Sequence, residues 1–162
     1  MAISVRRALV AVTALVLAVA GGLVAAAPAP AQPSISTLTG IRTGLHPGFD
    51  RIVLDLTGPR PGVTHELTDE LIADGSGQVV WLTGERFVSV AVSPAVAHND
   101  AGNRTFAGAD RFRTRNLTNV MAIALTGDFE GYVSIGLGIR HDSWVTVFTL
   151  ASPTRVVIDV GH

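Results

Sequence analysis

Two six-residue stretches far apart in the chain carry the same alternation. Residues 51–56 read Arg-Ile-Val-Leu-Asp-Leu, and residues 155–160 read Arg-Val-Val-Ile-Asp-Val. A period of two marks a strand, whose successive side chains point to opposite faces. Ile52, Leu54 and Leu56 then share one face, with Arg51, Val53 and Asp55 on the other, and the second stretch divides in the same way. Antiparallel pairing in matching register sets Arg51 opposite Asp159 and Asp55 opposite Arg155, giving two cross-strand ion pairs on one face. Parallel pairing in register would set Arg beside Arg. The pattern therefore predicts two antiparallel neighbours that bring the ends of one domain together, with Arg51, Asp55, Arg155 and Asp159 as scaffold.

Further short strands are predicted at 39–44, 63–67, 78–82, 86–92, 120–125, 132–139 and 144–150. Pro47-Gly48 suits the centre of a type II turn, with Gly supplying the positive φ. Gly58-Pro59-Arg60-Pro61-Gly62 stops the strand before it, because proline cannot donate to a ladder. Thr83-Gly84-Glu85 reads as a hairpin link between 78–82 and 86–92, and the segment 126–131 as a turn. Gly136 and Gly138 lie within a strand pattern, where a missing side chain admits a neighbour's bulk. A turn or two at 66–74 is the one helical expectation in this part of the chain. Strands spaced by roughly 8 to 12 residues, with Gly or Pro in most turns, predict an all-β fold, a compact antiparallel β-sandwich or partly closed barrel. Residues 93–116 break the rhythm with a long polar segment anchored only by Phe106 and Phe112, and a loop of that length is either functional or loosely held.

The N-terminus differs in kind. Arg6 and Arg7 precede an apolar run that ends in Ala25-Ala26-Ala27-Pro28-Ala29-Pro30-Ala31. That is the layout of a signal peptide, with cleavage expected after Ala31 and an uncleaved anchor as the alternative. The expected organisation is a signal peptide at 1–31, a leader at 32–38 and one β domain at 39–162. Without the signal, ten arginines stand against thirteen acids, a formal charge of −3. This mildly acidic, evenly spread balance excludes the basic stripe that nucleic-acid binding needs. The chain has no cysteine, which rules out disulfides, thiolate metal sites and a lipid-modified N-terminal cysteine. The expected location is secreted and extracytoplasmic, with no stable membrane span after cleavage.

Few residues propose chemistry. His46, Asp50, His98, Asp100, His141 and Asp142 are potential metal ligands, but none has dedicated spacing, and turn chemistry explains Asp and Asn equally well. No metal and no cofactor is expected. Ser143 beside His141 and Asp142, Ser93 near His98, and the acid pair Asp128 and Glu130 suggest hydrolysis, but there is no nucleophile elbow and the two acids share one small turn. No catalytic residue is assigned, and a hydrolase working from the loop around His98, Asn99 and Asp100 stands as an alternative. Arg111, Arg113 and Arg115 alternate, so an extended chain would put three guanidiniums on one face to grip carboxylates or phosphates. Trp81, Tyr132 and Trp144 are candidate sugar-stacking surfaces, although each lies in a strand pattern that favours packing. The candidate ligand-binding set is Arg111, Arg113, Arg115, His98, Asn99, Asp100 and Trp144.

Several motifs in order carry a family resemblance: Gly40-Ile41-Arg42-Thr43-Gly44 with His46, Gly48-Phe49-Asp50-Arg51-Ile52-Val53-Leu54-Asp55, Gly127-Asp128-Phe129-Glu130-Gly131, Gly136-Leu137-Gly138, and Pro153 followed by residues 155–160. Over 39–162 the chain resembles the AMIN-like domain of exported actinobacterial proteins, related to the AMIN domain found beside cell-wall amidases and in envelope secretion proteins. The resemblance implies a β-sandwich and a noncatalytic module bound to peptidoglycan, another cell-wall polymer or an envelope protein. A protein-interaction domain of an envelope assembly is the other alternative it leaves open.

Overall fold

A computed structural model describes residues 34–162. The expected signal peptide and the first two leader residues lie outside the described residues. Ten strands follow in order: β1 (Ser36–His46), β2 (Phe49–Thr57), β3 (Gly62–Thr68), β4 (Arg86–Ser93), β5 (Ala95–Val96), β6 (Arg111–Arg113), β7 (Val120–Phe129), β8 (Tyr132–Ile139), β9 (Val145–Leu150) and β10 (Arg155–Gly161). They form two five-stranded sheets, ordered β5-β1-β2-β10-β9 and β3-β4-β8-β7-β6. The fold is an all-β sandwich. Ile52, Leu54, Leu56, Val156, Ile158 and Val160 from the first sheet pack against Val88, Val90, Val92, Val133, Ile135, Leu137 and Ile139 from the second.

The two repeated stretches are β2 and β10, and they pair antiparallel with Arg51 opposite Asp159 and Asp55 opposite Arg155. Arg51 makes a two-pronged contact with Asp159, Nε to Oδ1 and Nη2 to Oδ2, each at 2.7 Å. The other pair does not form. Asp55 takes Arg42 of β1 instead, at 2.5 and 2.7 Å, while Arg155 reaches only the carbonyl of Pro153 at 3.4 Å. The cause lies on β1, where Gly40 stands directly opposite Asp55. With no side chain there, the carboxylate leans across to the guanidinium one row along. The hydrogen bond from Arg42 holds the Asp55 carboxyl below its ordinary range, and it raises Arg42 in turn, as Asp159 raises Arg51.

The strand expectations differ from the structure in five places, the first being that the segment 93–116, expected as one long loop, holds the short strands β5 and β6. The first strand begins at Ser36, inside the expected leader, because Leu38 is fully buried and Ser36 pairs with Ala95. The turn expected at 126–131 shrinks to Glu130 and Gly131, both at positive φ (48° and 79°), with β7 running on to Phe129 as hairpins joined by two residues do. No helix forms at 66–74 among the described residues. Residues 78–82 are not a strand and 83–85 do not link a hairpin. The segment 69–85 instead lies as an irregular cover over the outer face of the second sheet.

That cover has a local cause. On the outer face, β7 and β8 present Ala122, Ala124, Gly136 and Gly138, which pair across the ladder as 122 with 138 and 124 with 136. This trough of small residues receives Leu71, whose side chain is buried, and the backbone at Thr83 and Gly84. A Cβ at Gly136 would stand 2.5 Å from Leu71 Cδ1. The cover is tied down at both ends, with Asp74 N–H donating to Thr126 at 3.2 Å and Glu85 N–H donating to Ile139 at 2.8 Å. Its own carbonyls and amides close on each other, as in Val80 to Leu71 at 2.8 Å.

Candidate functional site

The residues singled out in the sequence fall into separate places with different chemistry. His98 follows β5, and its Nδ1 lies 2.7 Å from Asp128 Oδ2, while Asp128 Oδ1 accepts the Ala97 amide at 2.9 Å. Asn99 accepts the amides of Ala101 and Asn103 at 3.0 and 2.9 Å, closing its own turn. Asp100 is exposed at that turn. His98 and the Ala97 amide thus hold the loop 97–104 onto β7, and Asn99 closes the turn within it.

Asp50, read in the sequence as a turn residue, sits fully buried at the start of β2. Its carboxylate accepts three successive amides, Thr118 at 3.0 Å, Asn119 at 2.6 Å and Val120 at 2.8 Å. Buried Asn119 continues the network, donating to the Gly161 carbonyl at 2.8 Å and accepting from the Arg140 amide at 3.0 Å. A buried carboxylate is stable where such donors replace water. These two residues join the loop before β7 to the ends of β8 and β10, and only the fold brings their partners together. Among the described residues, no group of three His, Asp or Glu side chains is placed to hold a metal ion.

Trp144 lies on the outer face of the first sheet. Its indole covers Gly161 and stands 6.0 Å from Phe49, which stacks on His46 at 4.8 Å. Arg51 lies over Phe49 and Phe148 on the same face. The three candidate rings are exposed rather than packed: Trp81 to 81%, Trp144 to 53% and Tyr132 to 51%.

Arg111 and Arg113 are on β6, an edge strand of the second sheet, paired opposite Ala124 and Ala122. Both are exposed, and Phe112 between them is half-buried with part of its ring against the core. Arg115 lies beyond the strand, because the chain turns at Thr114, whose amide donates to Met121 at 3.0 Å. The expected row of three guanidiniums is therefore a pair with a neighbour. The cover segment meets this pair. Trp81, Leu82 and Thr83 form one wall of a cleft of about 310 Å³, and Arg111, Phe112, Arg113 and Ala122 form the other. Reading 78–82 as a packed strand concealed this neighbour; the signal available was the stretch of small residues at 122, 124, 136 and 138, which calls for a covering segment.

The electrostatics of this pair are unusual within the molecule. Arg42, Arg51, Arg86 and Arg104 face carboxylates. Arg60 bonds Thr149, Arg140 the Thr118 carbonyl and Arg155 the Pro153 carbonyl. Among the described residues, Arg111, Arg113 and Arg115 have no hydrogen-bond or ion-pair partner. A pair of planar cations beside an exposed indole can take a carboxylate or phosphate through the guanidiniums and the flat face of a sugar or an alkyl chain on the ring.

No curated protein and no solved structure matched the chain in comparisons with known proteins. The family model for the AMIN-like domain matches residues 36–162, starting where β1 starts and covering the whole sandwich. With that match over most of its length, the chain belongs to the AMIN-like domain family, an envelope-associated group whose domains are generally noncatalytic binding modules.

Proposed function

We propose that this domain is an exported, noncatalytic module that binds peptidoglycan or another anionic wall polymer through the cleft between Trp81 and the pair Arg111 and Arg113. The observation that carries the reading is the combination of unpartnered guanidiniums with an indole 81% exposed at the same cleft. Apart from Arg115, the other described arginines find partners within the chain; here the partner is external. Arg and Trp are the residue types that most often dominate a binding surface. The hydrolase alternative is weaker, because His98 and Asn99 already hold their own loop in place.

Sedimentation with purified peptidoglycan tests the reading. The unaltered domain is expected in the pellet, and W81A or R111Q/R113Q is expected to lose about tenfold or more in affinity, the usual scale for truncating a dominant contact. Retention no better than that of an unrelated protein of similar charge overturns the reading. Full retention of both variants moves the site to another face.

A further inference from the structure

Trp81 lines two clefts, and the two carry opposite charge. The cleft already described has Arg111 and Arg113 in its wall. The second, of about 180 Å³, is lined by Asp69, Glu70, Leu71, Val79, Val80, Leu82, Gly84 and Phe87 together with Trp81 itself. Asp69 meets Arg86 at 3.1 Å, and the same guanidinium lies 3.5 Å from Asp142. One cation is thus shared by two acids, and Glu70, whose carboxylate has no partner among the described residues, adds a third negative charge. Farther along the same outer face, Glu66 lines a hollow with Thr64, His65, Ser89 and Ala91. Sheet order explains the polarity. The acids belong to β3 and the segment leaving it, the arginines to β6, and these are the two opposite edges of one sheet. The cover places Trp81 between them. Asp74 is also on the cover, but its carboxylate packs on Gly127 and forms no ion pair with either arginine.

Such a surface discriminates by sign at two points. A polyanion that satisfies Arg111 and Arg113 and continues past the indole brings its next charge towards Glu70, and like-charge juxtaposition is the usual device for rejecting a wrong partner. A neutral glycan would use the ring alone. Resting on the wall-binding reading above, we propose that the ligand is a dipolar peptide branch of the wall polymer. A free carboxylate sits at Arg111 and Arg113, an aliphatic or sugar segment lies on Trp81, and a free ammonium sits on the Glu70 side.

The test is quenching of Trp81 fluorescence, read as the difference between the unaltered domain and W81F, on titration with the peptide acetyl-Ala-Glu-Lys-Ala. Its lysine-acetylated form, its fully amidated form and polyglutamate serve as comparisons. The dipolar peptide is expected to bind at least tenfold more tightly than any of the three. E70Q is expected to abolish the penalty for acetylating the lysine, and R111Q/R113Q the penalty for amidation. Equal binding of the acetylated peptide or of polyglutamate, or no binding of the dipolar peptide, overturns the proposal. Sedimentation with whole peptidoglycan separates the two levels. Retention there without discrimination among the peptides leaves wall binding standing and removes the dipolar ligand, whereas no retention removes both.

Discussion

The two outer faces of the sandwich treat their arginines in opposite ways. On the first sheet, Arg51 and Arg42 each grip a carboxylate of a neighbouring strand in a two-pronged contact. On the second, Arg111 and Arg113 stand over alanines and pair with no carboxylate among the described residues, Asp110 being taken by Arg104. The difference follows from what lies across the ladder. On β1, β2 and β10, Arg42 and Arg51 meet carboxylates of the adjacent strand, with Arg155 alone left to a backbone carbonyl. The row on β6 meets the small residues that β7 needs so that the cover can pack. A face that must accept a covering segment cannot also carry the carboxylates that would neutralise its edge. Free charge at that edge is thus a by-product of the packing, and it is the feature on which the proposed wall-binding site rests.

That contrast between scaffold and free surface can be broken by mutation. The largest effect is expected at Asp50, whose removal leaves two buried amides and the part-buried amide of Thr118 without an acceptor. D50A should destabilise the domain by roughly 3–5 kcal/mol in urea unfolding, given about 1–3 kcal/mol for each orphaned group and some relaxation. G138A drives a methyl group into the backbone at Thr83 and should cost about 1–3 kcal/mol as overpacking, with a change in Trp81 fluorescence as the cover shifts. Next comes the direct comparison of the two faces. D159A strands a part-buried guanidinium and is expected to cost about 1–2 kcal/mol, a charged hydrogen bond reduced by the exposure of Arg51. R111Q/R113Q should change stability by no more than about 0.5 kcal/mol, as exposed substitutions do, while wall binding falls. Equal destabilisation by the two would erase the distinction.

The smallest effect is a pH dependence. The Asp55 carboxyl is held below its ordinary value by Arg42, so its native form binds a proton less readily than its unfolded form. Its contribution is complete above the unfolded carboxylate range and is lost as pH falls through the depressed folded value. Urea midpoints of the unaltered domain and D55N should therefore differ near neutrality and converge in acid. An unchanged gap across the acid range would show that Arg42 and Asp55 do not hold each other in solution.

Different parts of the chain were legible to different degrees. The pairing and register of β2 and β10 could be read because their pattern is constrained twice, by apolar residues on one face and by charges of opposite sign on the other. The span of β8 was legible because apolar residues and glycines alternate from Tyr132 to Ile139 with clear turns at each end. The partner of Asp55 was not, since it depends on Gly40 of a third strand leaving a space. Residues 78–82 have the apolar content of a strand, but a strand needs a continuous ladder, and the neighbouring residues 71–73 supply only the isolated bridge of Val79 with Ile72. Trp81 accordingly moved from an expected packing role to the most exposed ring of the three, whereas Tyr132 lies in the expected strand with its ring turned to solvent.

The sequence by itself determined the class of fold and the pairing that joins the two ends of the domain. Those depend on a period of two and on turn residues, which act over a few positions and survive in any arrangement that buries the apolar face. Only the tertiary structure decided which charges are matched, how far each tryptophan is exposed and that Trp81 meets the β6 arginines. The last depends on a segment crossing a face rather than joining a ladder, and the partner of Asp55 on the space left by Gly40 of a third strand; both are set by packing between residues distant in sequence.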